Sequence, residues 1–299
     1  MTISSDVAAL LADEACLGLP ALSSLSPTEA RSQDAWLQQR RRAGVALPRV
    51  SSAEDTTLGG VPVRVVTPPA DGPLPVVLHV HGGGWVLGSP VTYELVVRRL
   101  ATEVGAVVVD VDYRLAPEHR FPVGLDDCWA VLQEVLAWGR PVAVVGDSAG
   151  AAIAAALTFR ARDAGLPLAG QLLVYPSVSL VRAWPSSREF RSGAGLDAAD
   201  SRWFADSWVP RVEDRAAPLV SPYEVVSLVG VPPAVVAVAE VDPLRDGGLA
   251  YAERLRADGV ATTVVIATGQ VHGYLTMPGL VGAERAVVAA HAALRTLLR

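Results

Sequence analysis

The sequence contains no lysine; all 25 of its basic side chains are arginine. Chemistry that begins from a lysine amine, such as Schiff-base catalysis, is therefore excluded, as is a Walker-type phosphate loop. Cysteine is nearly as scarce. Cys16 and Cys128 alone in 299 residues make no disulfide framework, and both lie in apolar helical surroundings that suit buried free thiols. With a net charge of −6 there is no basic excess, so the chain lacks the cationic footprint of a nucleic-acid binder. No apolar run approaches the roughly 18 residues of a membrane-spanning helix. The opening residues Met1 to Asp6 lack a basic n-region. No membrane span and no signal peptide are expected, and the expected location is the cytoplasm.

What is present points to an ordered, sizeable core. Hydrophobic residues make up 51% and charged residues 19%, a balance that argues against disorder. The chain is organised around one stretch. Val142 to Val145 form a short apolar run between Pro141 and Gly146, read as a strand buried on both faces. From Ala151 to Arg160 the composition turns strongly helix-forming. Between them lies Gly146-Asp-Ser148-Ala-Gly150, a G-x-S-x-G pattern. A strand that passes straight into a helix needs a very tight turn, with small residues on both sides of its tip. The tip residue is held strained and exposed above the sheet. Ser148 occupies that tip, at a helix N-terminus whose N–H groups favour negative charge.

The rest of the chain divides into three textures. Residues 1–47 read as helical. Ser26-Pro27-Thr28-Glu29 makes a capping-box start, and Ala30, Ala35, Trp36 and Leu37 are expected on one side of the helix that follows. That helix either packs on the main core or forms half of a lid. A hairpin is expected over Thr56–Val66, turning at Gly59-Gly60. Strands then alternate with helices: Val76–Val80, Ala106–Asp110, Val142–Val145, Gln171–Tyr175, Ala234–Ala239 and Thr262–Ala267. Helices fall near 91–104, 123–138, 149–164, 244–258 and 282–298. This alternation predicts an α/β fold with a mostly parallel sheet covered on both faces. The segment 178–220 interrupts it with no β pattern and carries Trp184, Trp203, Phe204 and Trp208. Insertions of that kind are usually functional; its aromatics either fill a small core of their own or face a pocket.

A serine hydroxyl becomes a nucleophile only when an oriented base removes its proton. Of the five histidines, His272 follows the last expected strand in a glycine-flanked loop, at the carboxyl rim where open α/β sheets place their sites. His291, on the terminal amphipathic helix, reads as a surface residue. Asp242 comes directly after Ala234–Ala239 and completes the chain order Ser148, Asp242, His272; Glu240 and Asp246 are its neighbours and competitors. His81-Gly-Gly-Gly84 after Val80 lets backbone amides approach a ligand closely. The N–H groups of Gly83, Gly84 and Ala149 would form an oxyanion hole, each donor worth about 2.7–4 kcal/mol in the transition state. A dinucleotide fingerprint fails at Leu87, where it requires glycine. His79 and His81 have no third ligand of matching spacing, so no metal is expected.

His81-Gly-Gly-Gly-Trp85, Asp112 to Pro122, Gly146-Asp-Ser-Ala-Gly150, Asp242-Pro-Leu-Arg-Asp246 and His272-Gly273 together resemble the hormone-sensitive-lipase-like (family IV) esterases of the α/β-hydrolase superfamily. The resemblance runs from about residue 56 to the end. It implies an α/β-hydrolase catalytic domain over 48–177 and 221–299, capped by 1–47 and the insertion 178–220. It also implies Ser148, His272 and Asp242 as nucleophile, base and acid, with no cofactor. The expected substrate is a small-molecule ester of short to medium acyl chain, its pocket drawn from Trp85, Trp203, Phe204, Trp208 and Tyr274. Tyr274 departs from the phenylalanine usual in the family. A deacetylase or amide hydrolase would use the same groups, whereas a non-catalytic receptor on this fold replaces the histidine that is present here. Thr262–Ala267 is expected at a sheet edge through which relatives often pair, which makes a homodimer one expectation.

Overall fold

Uninterrupted apolar runs need cover on both sides, and the centre of this protein is built from them. The computed structural model describes residues 2–299. Two helices come first, α1 (Ser5–Ala15) and α2 (Pro27–Arg41), followed by the hairpin β1 (Ser52–Leu58) and β2 (Val61–Thr67). The alternating part runs β3 (Val76–Val80), α3 (Glu94–Val104), β4 (Val107–Val111), α4 (Val123–Leu136), β5 (Val142–Asp147), α5 (Ala149–Asp163) and β6 (Gly170–Val174). After the insertion, with α6 (Pro185–Glu189) and α7 (Ala198–Trp208), come β7 (Ala234–Val241), α8 (Arg245–Ala257), β8 (Thr262–Val271) and α9 (Val281–Leu297).

The strands form one eight-stranded sheet in the order β1-β2-β4-β3-β5-β6-β7-β8. β2 is antiparallel to both β1 and β4, and every other pairing is parallel. Alternate residues of the central strands feed two separate cores, as a period of two demands. Val76, Leu78, Val142 and Val144 pack with α4, α5 and α8. Val77, Ala143 and Val145 pack with α3, α9 and Val7 of α1. The chain visits β4 on one side of β3 and then crosses to β5 on the other. Loops leaving β3 and β5 therefore diverge above the sheet and open a crevice at the carboxyl rim.

Three expectations need correction. β8 does not stop at Ala267 but continues to Val271. Gly269, at φ 69°, sits where the β7–β8 register shifts, and its N–H donates to Glu240 Oε2 at 2.7 Å, so an apparent turn is a bulge within the strand. His291 is buried rather than on the surface: its Nδ1 lies 2.7 Å from Glu103 Oε2 between α9 and α3. Cys16, expected to be buried, is exposed just after α1; Cys128 is buried on α4 as expected. Among the described residues no helix is long and apolar enough to cross a membrane.

Candidate active site

The turn between β5 and α5 shows why glycine flanks Ser148. A Cβ on Gly146 would strike the backbone of Gly150, and one on Gly150 would strike the carbonyl oxygens of Val80 and His81. Only glycine lets strand, turn and helix approach this closely. Ser148 itself stands at φ 52°, ψ −117°, a conformation that costs on the order of 1–3 kcal/mol and must be held by its surroundings. Part of that hold is its own N–H, which donates to Val174 O at 2.8 Å. The strain leaves the hydroxyl above the sheet.

Two side chains from distant parts of the chain meet it there. Ser148 Oγ lies 2.9 Å from His272 Nε2, and His272 Nδ1 lies 2.8 Å from Asp242 Oδ2. Asp242 is fully buried, and its other oxygen accepts the N–H of Leu244 at 2.7 Å. With Nδ1 donating to a carboxylate, Nε2 is left as the acceptor that faces the serine hydroxyl. The nearby acids are engaged elsewhere. Glu240 holds the Gly269 bulge, while Asp246 pairs with Arg245 and accepts the N–H of Ser186. The His272 loop is also tied to the insertion, since its N–H donates to Ala194 O at 3.0 Å.

The glycine loop after β3 completes the arrangement. The N–H groups of Gly83, Gly84 and Ala149 make no hydrogen bond to the protein among the described residues. Gly82 is different: its N–H donates to Asp147 Oδ1 at 2.8 Å and to the Tyr93 hydroxyl at 3.1 Å. Asp147 Oδ2 in turn accepts the hydroxyls of Tyr93 (3.0 Å) and Tyr175 (3.2 Å). Burial raises the Asp147 carboxyl above the ordinary range, with His79, the Tyr93 hydroxyl and the Gly82 amide pulling it back. Asp147, a position that the G-x-S-x-G pattern leaves open, thus joins the serine turn to the glycine loop. His81 lies behind that loop, where its Nδ1–H donates to Gly82 O at 2.8 Å and Tyr113 stacks on its ring. Burial lowers its pKa. His79 pairs with Asp110 at 2.7 Å inside the sheet.

A cavity of about 570 Å³ opens over Ser148 and His272. Of the five aromatic side chains expected along it, Trp85 and Phe204 line it; Trp203, Trp208 and Tyr274 do not. Trp208 is buried behind Trp85, the two rings stacked 4.0 Å apart, with Phe121 edge-on. Tyr274 packs edge-on against Tyr175 beneath His272, and Trp203 leans on Phe204 from outside. A large ring covers most area where it can be contacted on every side, so these three became support for the wall. Phe204 sits so close over Gly84 that a Cβ there would enter its ring.

None of the residues expected along the pocket belongs to its opposite wall. Asp34, Leu37, Gln38 and Arg41 of α2 line the cavity, whereas Ala35 and Trp36, expected to face inward, are exposed. The spacing i, i+3, i+4, i+7 of the four residues was the available signal.

A family profile described as alpha/beta hydrolase fold matches residues 77–276. Esterase LipI of Mycobacterium tuberculosis is 42% identical over 249 residues, spanning 78% of this chain and 77% of LipI. Carboxylesterase NlhH of the same species is 40% identical over 257 residues, 81% of each chain. The crystal structure of a thermostable esterase from Pseudomonas putida superposes with a TM-score of 0.94 at 32% identity, covering 100% of this chain and 98% of that one.

Proposed function

Because the chain belongs to the hormone-sensitive-lipase-like (family IV) esterases of the α/β-hydrolase superfamily and is a carboxylic ester hydrolase, we propose that it works through an acyl-enzyme on Ser148. The observation that carries the reading is the line from Ser148 Oγ through His272 to Asp242, at 2.9 and 2.8 Å, beside three unpaired amides. His272 Nε2 takes the hydroxyl proton as Oγ attacks the ester carbonyl. The N–H groups of Gly83, Gly84 and Ala149 receive the oxyanion, and the imidazolium, held by Asp242, returns the proton to the leaving alcohol. Water activated by the same imidazole then releases the acid.

The cavity volume and its Trp85 and Phe204 wall support short to medium acyl chains. A series of p-nitrophenyl esters from acetate to laurate should show kcat/KM highest among the shorter members. A p-nitrophenyl phosphonate should label one residue, Ser148, in the intact protein, as read by peptide mass spectrometry. An adduct elsewhere, or no hydrolysis across the series, would overturn the assignment. Anilides of the same acids distinguish an amide hydrolase, and the intact imidazole speaks against a receptor.

The proposal extends to the division of labour along the chain. Residues 1–47 and 178–220 act together as a cap over the catalytic domain of 48–177 and 221–299. Both segments contribute to the cavity wall, and the N–H of Ser23 donates to Asp200 Oδ1 at 2.9 Å, linking one to the other. The exposed Cys16 thiol is in keeping with a reducing, cytoplasmic setting. β8 is an edge strand of ten residues with Ile266 half-exposed, and an uncovered apolar edge favours pairing. Two copies joined through β8 should give a dimer mass by light scattering, and a Pro substitution at Ile266, whose N–H points away from β7 by the β7–β8 register, should halve it; a wild-type mass of one chain would dismiss the pairing.

A further inference from the structure

The helix α2 is turned the unexpected way round. Its exposed side carries Ala35 and Trp36, the latter 46% exposed, while Asp34, Gln38 and Arg41 face the cavity with Leu37. Burying polar side chains in place of an available tryptophan is unfavourable for packing. Such an orientation is accounted for when the inner face meets a polar ligand.

The charges on that wall are not balanced. Arg41 is directed to Glu14, with contacts of 2.6 and 2.8 Å. On the insertion side Arg182 is held by Glu224 at 2.6 and 2.8 Å. Arg215 is buried and held by Asp206 and Val209 O. Arg202, which also borders the cavity, stands exposed to solvent. Asp34 has no such partner. Its Oδ1 accepts the Gln38 amide at 3.2 Å, and its Oδ2 accepts no hydrogen bond among the described residues. Loss of solvent raises its carboxyl above the usual range, against the pull of the Gln38 bond, Arg41 and His81. A carboxylate in that position gains most from a cation that brings its own N–H.

We propose that Asp34 is a specificity-determining residue that selects esters carrying a protonated amine, accepting the ammonium N–H on Oδ2. This rests on the esterase reading of the same site and adds a substrate class to it. Asp34 takes no part in the bond-making steps; it receives a group remote from the ester carbonyl.

The test uses pairs of esters of the same shape. On the alcohol side, 2-(dimethylamino)ethyl butyrate is compared with 3-methylbutyl butyrate. On the acyl side, ethyl 4-(dimethylamino)butyrate is compared with ethyl 5-methylhexanoate. Both amines are protonated near neutral pH, and each hydrocarbon replaces N–H by C–H. For one of the two pairs the wild-type kcat/KM should favour the amine by about 10- to 100-fold, the worth of a hydrogen bond between charged groups. Asp34→Asn should bring that ratio, read within the variant whatever its rate on the hydrocarbon ester, to within about twofold, and Asp34→Glu should restore part of it. The same ratios are read in dissociation constants by calorimetry on the Ser148→Ala protein, with and without Asp34→Asn, so the comparison stands apart from turnover. No amine preference in either pair, or a preference unchanged in Asp34→Asn, would overturn the proposal. Absent hydrolysis of the hydrocarbon esters by wild type would instead count against the esterase reading, with the binding ratios still deciding the role of Asp34.

Discussion

Ser148→Ala should reduce hydrolysis of p-nitrophenyl butyrate by about 10⁴- to 10⁶-fold, the loss that accompanies removal of a nucleophile from a triad. The fold should be unaffected. The backbone carries the turn: the Ser148 N–H to Val174 O and the interlocking of Gly146 with Gly150 do not involve the hydroxyl. Alanine tolerates φ 52° about as well as serine, so the strain is unchanged and the melting temperature should move little. What disappears is the only oxygen within hydrogen-bonding distance of His272 Nε2 among the described residues. Ser177, Ser179, Ser187 and Ser201 also border the cavity, and none makes that contact. Adding His272→Ala to Ser148→Ala should cost almost nothing further, because the two groups act as a unit. Substantial turnover by the single variant would mean that a different nucleophile does the work, and the steady-state rate with active-site titration decides it.

The serine turn was readable from sequence because its requirements are local. A strand, a helix and no room for a Cβ between them can be recognised within ten residues. The convergence of Asp242 and His272 was readable for a different reason: each follows a parallel strand, and parallel strands end on one rim. The length of β8 was not. Thr268, Gly269 and Gln270 have turn composition, and nothing in the sequence says that Glu240, from the neighbouring strand, reaches across to occupy the Gly269 amide.

Errors of facing had a common cause. An amphipathic pattern tells which residues of a helix share a face, and assumes that the apolar face goes inward. Over a sheet this holds, as for α3, whose Val96, Val97, Leu100 and Val104 are all buried. Over a cavity it fails, as for α2, where Trp36 points out and Asp34 in. The same limit applies to the aromatic residues of the insertion. Trp208 and Phe204 are four residues apart on one helix, yet Phe204 reaches the cavity while Trp208 is stacked behind Trp85. His291 was misplaced because its partner Glu103 lies 188 positions away, on a helix whose contact with α9 only the tertiary fold provides.

Asp147→Ala should lower kcat on the order of 10²–10³-fold, the worth of one oxyanion donor, although among the described residues the side chain makes no hydrogen bond to Ser148 Oγ or His272. Its carboxylate accepts the Gly82 N–H and both the Tyr93 and Tyr175 hydroxyls. Those bonds fix the first glycine of the loop and so aim the free N–H groups of Gly83 and Gly84. Removing them leaves the Tyr93 and Tyr175 hydroxyls without an acceptor and the Gly82 N–H with only its 3.1 Å contact to Tyr93, in a site that admits little water, at a cost of about 1–3 kcal/mol for each donor that stays unsatisfied. Gly82 cannot be held sterically instead, since a Cβ there would collide with Asp147 and the Tyr93 hydroxyl. Asp147→Asn supplies the discriminating comparison. Its amide oxygen can accept from Gly82, and its NH₂ can donate to a phenol oxygen once that hydroxyl rotates. Because burial already raises the Asp147 carboxyl, the exchange of charge for a neutral amide is mild here. Asn should therefore recover most of kcat, with KM near wild type in both variants. Equal losses of kcat in Ala and Asn would show that the loop does not depend on this clamp. A fall in denaturation midpoint with kcat intact would reduce Asp147 to a support of the fold.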